Sequence, residues 1–324
     1  MTDTAETAVI TPQLPQGPWA LLSLLLGVLI LSFAAILTRL AENELSVSAT
    51  VFNRYFIATI ALGCWQFFAS RWNPPSAPPP AVEPKDRALF LLSSVLGTGA
   101  VSLWALSLTQ TSVANSNLLH NVTPVFAVLG GWLFLGQRFD LKYLLGILLA
   151  IAGVAMISFA DLQASLESVS GDSIALLSAV FYAFNYLTRE KLRSKFPAIK
   201  ILFWTCLLSS IYTFLLVLQA KGPIFPQSWP TWLAVVSLAV FCQGIGQGLL
   251  VHNLKRFSAG FVTLLMLLEP LMTALFAAAI FSERLTSLNW VAFAIVLMGI
   301  YLARIGNGAP LDGDQNSMDL SEAD

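Results

Sequence analysis

The feature that most limits this chain is an apolar run of about 20 residues, long enough to cross a bilayer as helix, that ends in polar residues and starts again all the way from Pro18 to Arg304. In hydrocarbon only helices or closed barrels satisfy the backbone, and these runs have helical length. They predict ten helices, over 18–40, 49–70, 88–110, 113–135, 140–160, 172–191, 198–220, 230–252, 259–281 and 286–304. Composition agrees: 56% of the residues are hydrophobic and 11% charged, whereas a soluble domain carries about a quarter charged residues. The expected fold class is an all-α integral membrane protein with the lipid bilayer as its first partner.

The segments outside the runs are of two kinds. Residues 1–17 carry Asp3 and Glu6 but no Lys or Arg, so they lack the basic region of a cleaved leader and predict a disordered N-terminus before a retained first helix. Residues 305–324, rich in Gly, Asp, Ser and Asn, predict a disordered tail. Between helices 2 and 3 stand Pro74, Pro75, Pro78, Pro79, Pro80 and Pro84, which favour an extended loop. Cys64, Cys206 and Cys242 all fall in apolar runs and read as packing residues. No metal-ligand spacing and no cofactor motif occurs. The basic residues are scattered over short connections and form no patch for nucleic acid.

Lys and Arg in short loops are retained on the cytoplasmic side. With the N-terminus inside, thirteen of the 17 basic residues, Arg189 among them, fall on that face. Only Arg39, Lys221 and Arg284 fall outside, and Arg54 lies within a helix. The expectation is a multi-pass protein of the cell (inner or plasma) membrane with both termini cytoplasmic.

Shifting the chain by 146 positions sets Thr123–Arg138 on Glu269–Arg284, with Pro124 on Pro270 and Gly153 on Gly299. An offset of 150 sets Leu37, Thr38 and Arg39 on Leu187, Thr188 and Arg189. The repeat units are 18–160 and 172–304, five helices each. An odd number of crossings turns the second unit upside down. Inverted repeats recur in secondary transporters, with the solute site at mid-membrane between the halves.

The Leu-x3-Thr-Pro of Leu119–Pro124 and the Leu-x3-Glu-Pro of Leu265–Pro270 are each followed twelve residues later by Gly136-Gln137-Arg138 and Ser282-Glu283-Arg284. This pair resembles the EamA domain of the drug/metabolite transporters, and Asn53-Arg54-Tyr55 resembles the Arg-Phe common in helix 2 of that family. The resemblance covers 18–304. It implies two EamA repeats and a ten-helix exporter or exchanger of amino acids or other small metabolites. Gln137 stands where Glu is usual and Ser282 where Gly is usual; both positions are interfacial.

Several polar groups sit at membrane depth. Asn117, His120, Asn121 and Pro124 share one face of helix 4, Tyr182, Asn185 and Tyr186 one face of helix 6, and Gln243 and Gln247 one face of helix 8. They read either as a cavity wall for a neutral, zwitterionic or cationic solute or as interhelical glue. Arg54 either snorkels to the headgroups or binds a substrate carboxylate. Glu269 is the one acidic residue deep in a predicted helix. It is either a proton-coupling or amine-binding group or a hydrogen-bonded packing residue. Pro124 and Pro270 remove hydrogen bonds to the carbonyls of His120 and Met266 and predict kinks, with the freed carbonyls either idle or lining the path. Gly244, Gly246 and Gly248 read as small residues that let helices approach.

An intramembrane enzyme would need a nucleophile, metal cluster or acid pair, and only Glu269 and His120 offer themselves. A receptor or scaffold would need no inverted repeat with polar faces. Phosphorylated solutes would require several deep cations. The transport reading therefore leads. In a variant lacking the three cysteines, a cysteine at Ser194 is expected to resist an impermeant maleimide in right-side-out vesicles and one at Ser168 to react. The reverse pattern would overturn the topology.

Overall fold

A computed structural model describes residues 18–72, 80–108, 110–111, 113–160, 169–219, 222–281, 286–306 and 308–309. Residues 1–17 and 310–324, most of the proline-rich connection and Ser282-Glu283-Arg284 lie outside the described residues.

The described chain is helical. In order come α1 (Pro18–Leu31), α2 (Ala34–Glu42), α3 (Val47–Trp72), α4 (Pro84–Leu108), α5 (Val113–His120), α6 (Thr123–Leu135), α7 (Leu141–Ala160) and α8 (Val169–Arg193). Then follow α9 (Ala198–Gln219), α10 (Trp229–Ser237), a π-helical segment (Leu238–Gly246), α11 (Gln247–Asn253), α12 (Ala259–Leu265), α13 (Leu268–Phe281) and α14 (Ser287–Ile305). Their starts carry ordinary caps. The Ser228, Ser258 and Thr286 hydroxyls accept from Thr231, Phe261 and Asn289 amides at the N-termini of α10, α12 and α14, replacing partners the helix cannot supply. Helix α6 stops at Gly136, whose φ of +64° is left-handed and costs glycine nothing.

Three expected single helices are interrupted. The first breaks at Ser32–Phe33, the fourth at Asn121–Val122 and the ninth at Met266–Leu267. The eighth runs through a π segment instead. Eight helical stretches among the described residues are long and apolar enough to cross a membrane, and a shorter apolar helix covers Leu141–Met156. Helix α8 is the tenth element expected to cross. It carries Asp172, Arg189, Glu190, Lys191 and Arg193, which lowers its hydrophobicity, yet it packs along α4 and against α5 and α6.

Large apolar side chains stay exposed all round the bundle, among them Leu22, Trp65, Phe68, Leu133, Leu148 and Leu215. Water would not tolerate so large an apolar surface, and a bilayer requires it. Trp19 and Trp72 stand at one end of the helices and Trp229 and Trp290 at the other, as in an aromatic belt.

The connections fall into two groups. At one end Lys195 bonds Asp86 and Glu83 at 2.7 and 2.8 Å, and Arg138–Phe139 pairs antiparallel with Gly308–Ala309. The Asp86 and Glu83 carboxylates raise the Lys195 pKa above its usual value. At the other end Glu44 accepts from the amides of Gln227 and Ser228 at 3.0 and 3.2 Å, which holds its carboxyl below the usual range. Thr111 donates to Asp172 there, at 2.7 Å. These are called below the Lys195 face and the Glu44 face.

The tightest seam joins α7 to α14. A Cβ on Gly153 would meet Val296 and the Ala292 carbonyl, and one on Gly299 would lie 2.5 Å from the Ala150 amide and 2.6 Å from the Gly146 carbonyl. The contacts are reciprocal: 153, 292 and 296 lie 146 positions from 299, 146 and 150, so each half meets the other with the same residues. Such self-complementarity belongs to a twofold contact. The 2.5 Å approach at Gly299 involves backbone, which cannot swing away. Gly299→Leu should therefore part the seam and lower the melting temperature in detergent by several degrees, a loss of about 1–3 kcal/mol, whereas Leu297→Ala on the exposed face should leave it nearly unchanged.

Candidate functional site

The helix breaks set up the centre of the bundle. Pro124 occupies the first turn of α6, and the His120 carbonyl it leaves without an amide accepts the Thr123 hydroxyl at 2.5 Å. In the second half the Met266 carbonyl accepts the Glu269 amide at 2.9 Å. Both freed carbonyls are thus satisfied locally. The expected kinks are full breaks. The first break is propped from outside, because Thr273 on α13 donates to the Ser32 carbonyl at 3.1 Å.

Next to these breaks the polar side chains gather. Arg54 on α3 turns inward and its Nε donates to Gln243 Oε1 at 2.9 Å, which excludes the snorkelling orientation. The Arg54 terminal nitrogens bond no described residue. Gln243 also reaches Cys206 Sγ at 3.6 Å. Four residues on, Gln247 Nε2 donates to the Tyr182 hydroxyl at 3.1 Å, and its Oε1 accepts Tyr186 at 3.1 Å and Arg189 Nη1 at 2.8 Å. Gln243 and Gln247 are only 2% and 3% exposed. They are enclosed anchors for other side chains, not an open wall.

Glu269 sits at the start of α13, half-buried, and its carboxylate has no hydrogen-bond or ion-pair partner among the described residues. Gln243, which holds Arg54, is followed one turn on by Gln247, which holds Tyr182, and the first break is touched both by Cys242, beside Gln243, and by Thr273, one turn beyond Glu269. Arg54, Glu269 and Tyr182, from three different helices, therefore face one interior space, where Arg54 and Glu269 remain beyond ion-pair distance.

One side of that space is aromatic. His120 Nδ1 and Ser178 Oγ share a hydrogen bond of 2.7 Å, and its ring lies 5.2 Å from Tyr182 and 6.2 Å from Trp104. Trp104 Nε1 donates to Asn117 Oδ1 at 3.1 Å. Asn121, in the break, is half-buried and its side chain bonds no described residue. Asn185 departs from the expected face of helix 6. It is buried against α4, accepting the Ser93 hydroxyl at 2.8 Å beside Gly97, because α4 packs along that edge of α8.

Three residues of this region have no place in the sequence reading. Arg189, counted there among the cytoplasmic loop cations, is 4% exposed inside the bundle. Glu190 is a second deep acid, accepting Gln137 Nε2 at 2.7 Å and the Ala259 amide at 2.8 Å. Trp104 looked like any apolar residue of helix 3. The run Arg189-Glu190-Lys191 mixes buried and exposed charges, and only the alignment of Arg189 with Arg39 set it apart.

The two ends differ. Residues 259–268 are all buried, with α12 against α6 on the Lys195 side. Beyond the breaks Asn117, His120, Asn121, Glu269, Pro270 and Thr273 are half-buried, so the polar residues are less enclosed on the side of the Glu44 face. Of the three glycines of helix 8, Gly246 makes the close approach, its carbonyl 3.2 Å from a Cβ on Gly27. A separate groove of about 310 Å³ lies beside the first break, lined by Leu29, Ile30, Phe33, Leu37, Phe241 and Cys242. With no polar group it does not suit a charged solute. Among the described residues no cluster of His, Cys, Asp or Glu could hold a metal.

Comparison with known proteins places this arrangement. Residues 18–159 and 169–305 each match the family described as EamA-like transporter family. An "Uncharacterized transporter" of Methanothermobacter thermautotrophicus is 25% identical over 68% of this chain, which spans 65% of that protein's length. Another of Archaeoglobus fulgidus is 26% identical over 87% of this chain and 96% of its own. A protein named "Probable amino-acid metabolite efflux pump" of Escherichia coli is 26% identical over 59% of this chain and 67% of its own. A solved crystal structure superposes with a TM-score of 0.74 at 19% identity, covering 89% of this chain and 97% of the other, a likeness of fold.

Ser93 and Asn185 satisfy each other inside the bundle, away from the polar space. Asn185→Ala should lower thermal stability by about 0.5–1.5 kcal/mol and leave solute binding as in the wild type, measured on the same purified sample.

Proposed function

The chain belongs to the EamA-like transporter family, and we propose that it carries a zwitterionic solute of the α-amino-acid class across the membrane by alternating access. The carrying observation is that Arg54, turned inward onto Gln243, and Glu269, at the start of α13, are half-buried opposite charges that have no ion-pair partner among the described residues. A buried charge is expensive unless matched. A small zwitterion matches both at once, its carboxylate on the fork of Arg54 and its ammonium on Glu269. Gln243 pre-sets the fork by holding Nε, which lowers the ordering cost of binding. The aromatic side of His120, Trp104 and Tyr182 takes the apolar part of the solute. The E. coli relative's printed name points to the same class.

The reciprocal contacts of Gly153 and Gly299 support two inverted five-helix halves, 18–160 and 172–304, and hence ten crossings with both termini on the cytoplasmic, Lys195 face. The interior then opens to the outside in this conformation. Glu269 also suits proton coupling, because a carboxyl freed of its ammonium partner can take up a proton before the cavity turns. Transport as an exporter or exchanger in the inner or plasma membrane needs no catalytic group, and an enzymatic or receptor role finds no support in the side chains gathered here.

Three probes test the reading: radiolabelled L-threonine, the amine it becomes without its carboxyl, and the hydroxy acid it becomes without its amine. Arg54→Gln should weaken binding of L-threonine and of the acid by about tenfold or more and leave the amine unaffected. Glu269→Gln should do the converse and abolish transport driven by a pH gradient, with unchanged melting temperature. Asn121→Leu should reduce flux without unfolding the protein. Equal losses for all three probes in both charge variants would sink the zwitterion reading.

A further inference from the structure

Two guanidinium groups hang from neighbouring turns of one helix. Arg54 is tied to Gln243 and Arg189 to Gln247, and a separation of four residues is about 6 Å along a helix. Gln243 also reaches Cys206 and Gln247 also bonds Tyr186, so the two arginines converge on one region from different helices. Their settings differ. Arg54 is half-buried on the less enclosed side, while Arg189 is 4% exposed on the Lys195 side of it.

Arg189 lacks what a purely structural buried arginine requires. Its Nη1 bonds Gln247, its plane stands 5.7 Å over the Tyr186 ring, and its Nε has no partner although it is enclosed. Among the described residues no carboxylate lies within 4.0 Å of it. Glu190, its neighbour in sequence, is directed instead to Gln137 and Ala259. A guanidinium at membrane depth with no counter-charge is costly, and its enclosed Nε–H adds the cost of an unmade hydrogen bond. Packing would be served by a neutral side chain of the same length.

We infer that Arg189 is a second carboxylate-binding station, which receives the solute's carboxylate from Arg54 when the cavity turns to the Lys195 face. This rests on the zwitterion reading of Arg54 and Glu269. In the conformation described, Gln247 Oε1 occupies Arg189 and the station is shut. Opening toward the Lys195 face parts α8 from α11, withdraws Gln247, and leaves Nη1 and the free Nε edge for a carboxylate. The solute then moves one helical turn without its anion ever losing a cationic partner. That lowers the barrier of the crossing, because a bare carboxylate in the bundle would be as costly as the bare guanidinium.

Sided kinetics test this, with radiolabelled L-threonine, L-leucine and L-glutamine as probes in right-side-out and inside-out vesicles. Arg189→Gln should raise the half-saturating concentration about tenfold for solute presented at the Lys195 face and leave it within about twofold at the Glu44 face. Arg54→Gln should show the opposite sidedness. Arg189→Lys keeps the charge without the fork, so a smaller loss on the Lys195 face alone is expected, and it decides the matter if the Gln variant does not assemble. Equal changes at both faces, or none, in the Arg189 variants would overturn the second station. Failure of the wild type to move any of the three probes would instead overturn the zwitterion reading beneath it.

Discussion

Inside a bilayer a polar group has only the protein to turn to, and this constraint runs through the whole molecule. It makes the chain helical, and it makes each interruption of a helix conditional on a replacement partner. The Thr123 hydroxyl on the His120 carbonyl, the Glu269 amide on the Met266 carbonyl and the Thr273 hydroxyl on the Ser32 carbonyl are those replacements. With them in place the helices can end at mid-membrane and expose side chains that a straight helix would press against neighbours.

The same constraint gives the pairing of charges its meaning. Gln243 and Gln247 each hold an arginine, and among the described residues neither arginine meets a carboxylate and Glu269 meets no cation directly. Charges left incomplete at such depth are a reservoir of binding energy for a ligand of complementary pattern, since its arrival removes a standing cost as well as adding hydrogen bonds. Glycine seams do the opposite work: Gly146, Gly153 and Gly299 lock α7 to α14 through backbone contact.

The asymmetry between the two faces follows from where the breaks fall. On the Lys195 side α12 lies against α6, with Glu190 joining Gln137 to the Ala259 amide. On the other side the polar residues of α5 and α13 stay half-buried. The two halves thus share a pattern of contacts at α7 and α14 while differing in how far their polar residues are enclosed.

How much of this could be read from the residues depends on the range of the interaction. Apolar run length, Pro124 and Pro270 at equivalent places and the matched Gly153 and Gly299 are local or periodic features, so helix positions and the family likeness were legible, with ends within a few residues. The polar positions of helix 4 were legible as a group, but not the break at Asn121–Val122 that divides them. Asn185 was not, since only the packing of α4 along α8 gives it Ser93 as a partner. Arg54 could point out or in, and only Gln243, 189 residues away in sequence, decided the direction. Arg189 and Glu190 read as surface charge, and burial depends on which helices close around α8. The sequence by itself determined that this chain is a membrane-embedded helical bundle with a repeated motif, because hydrophobic length and spacing act along the chain. Only the tertiary structure decided which charges meet, which stay unmatched and which side of the breaks is the more enclosed, because those depend on distances between helices far apart in sequence.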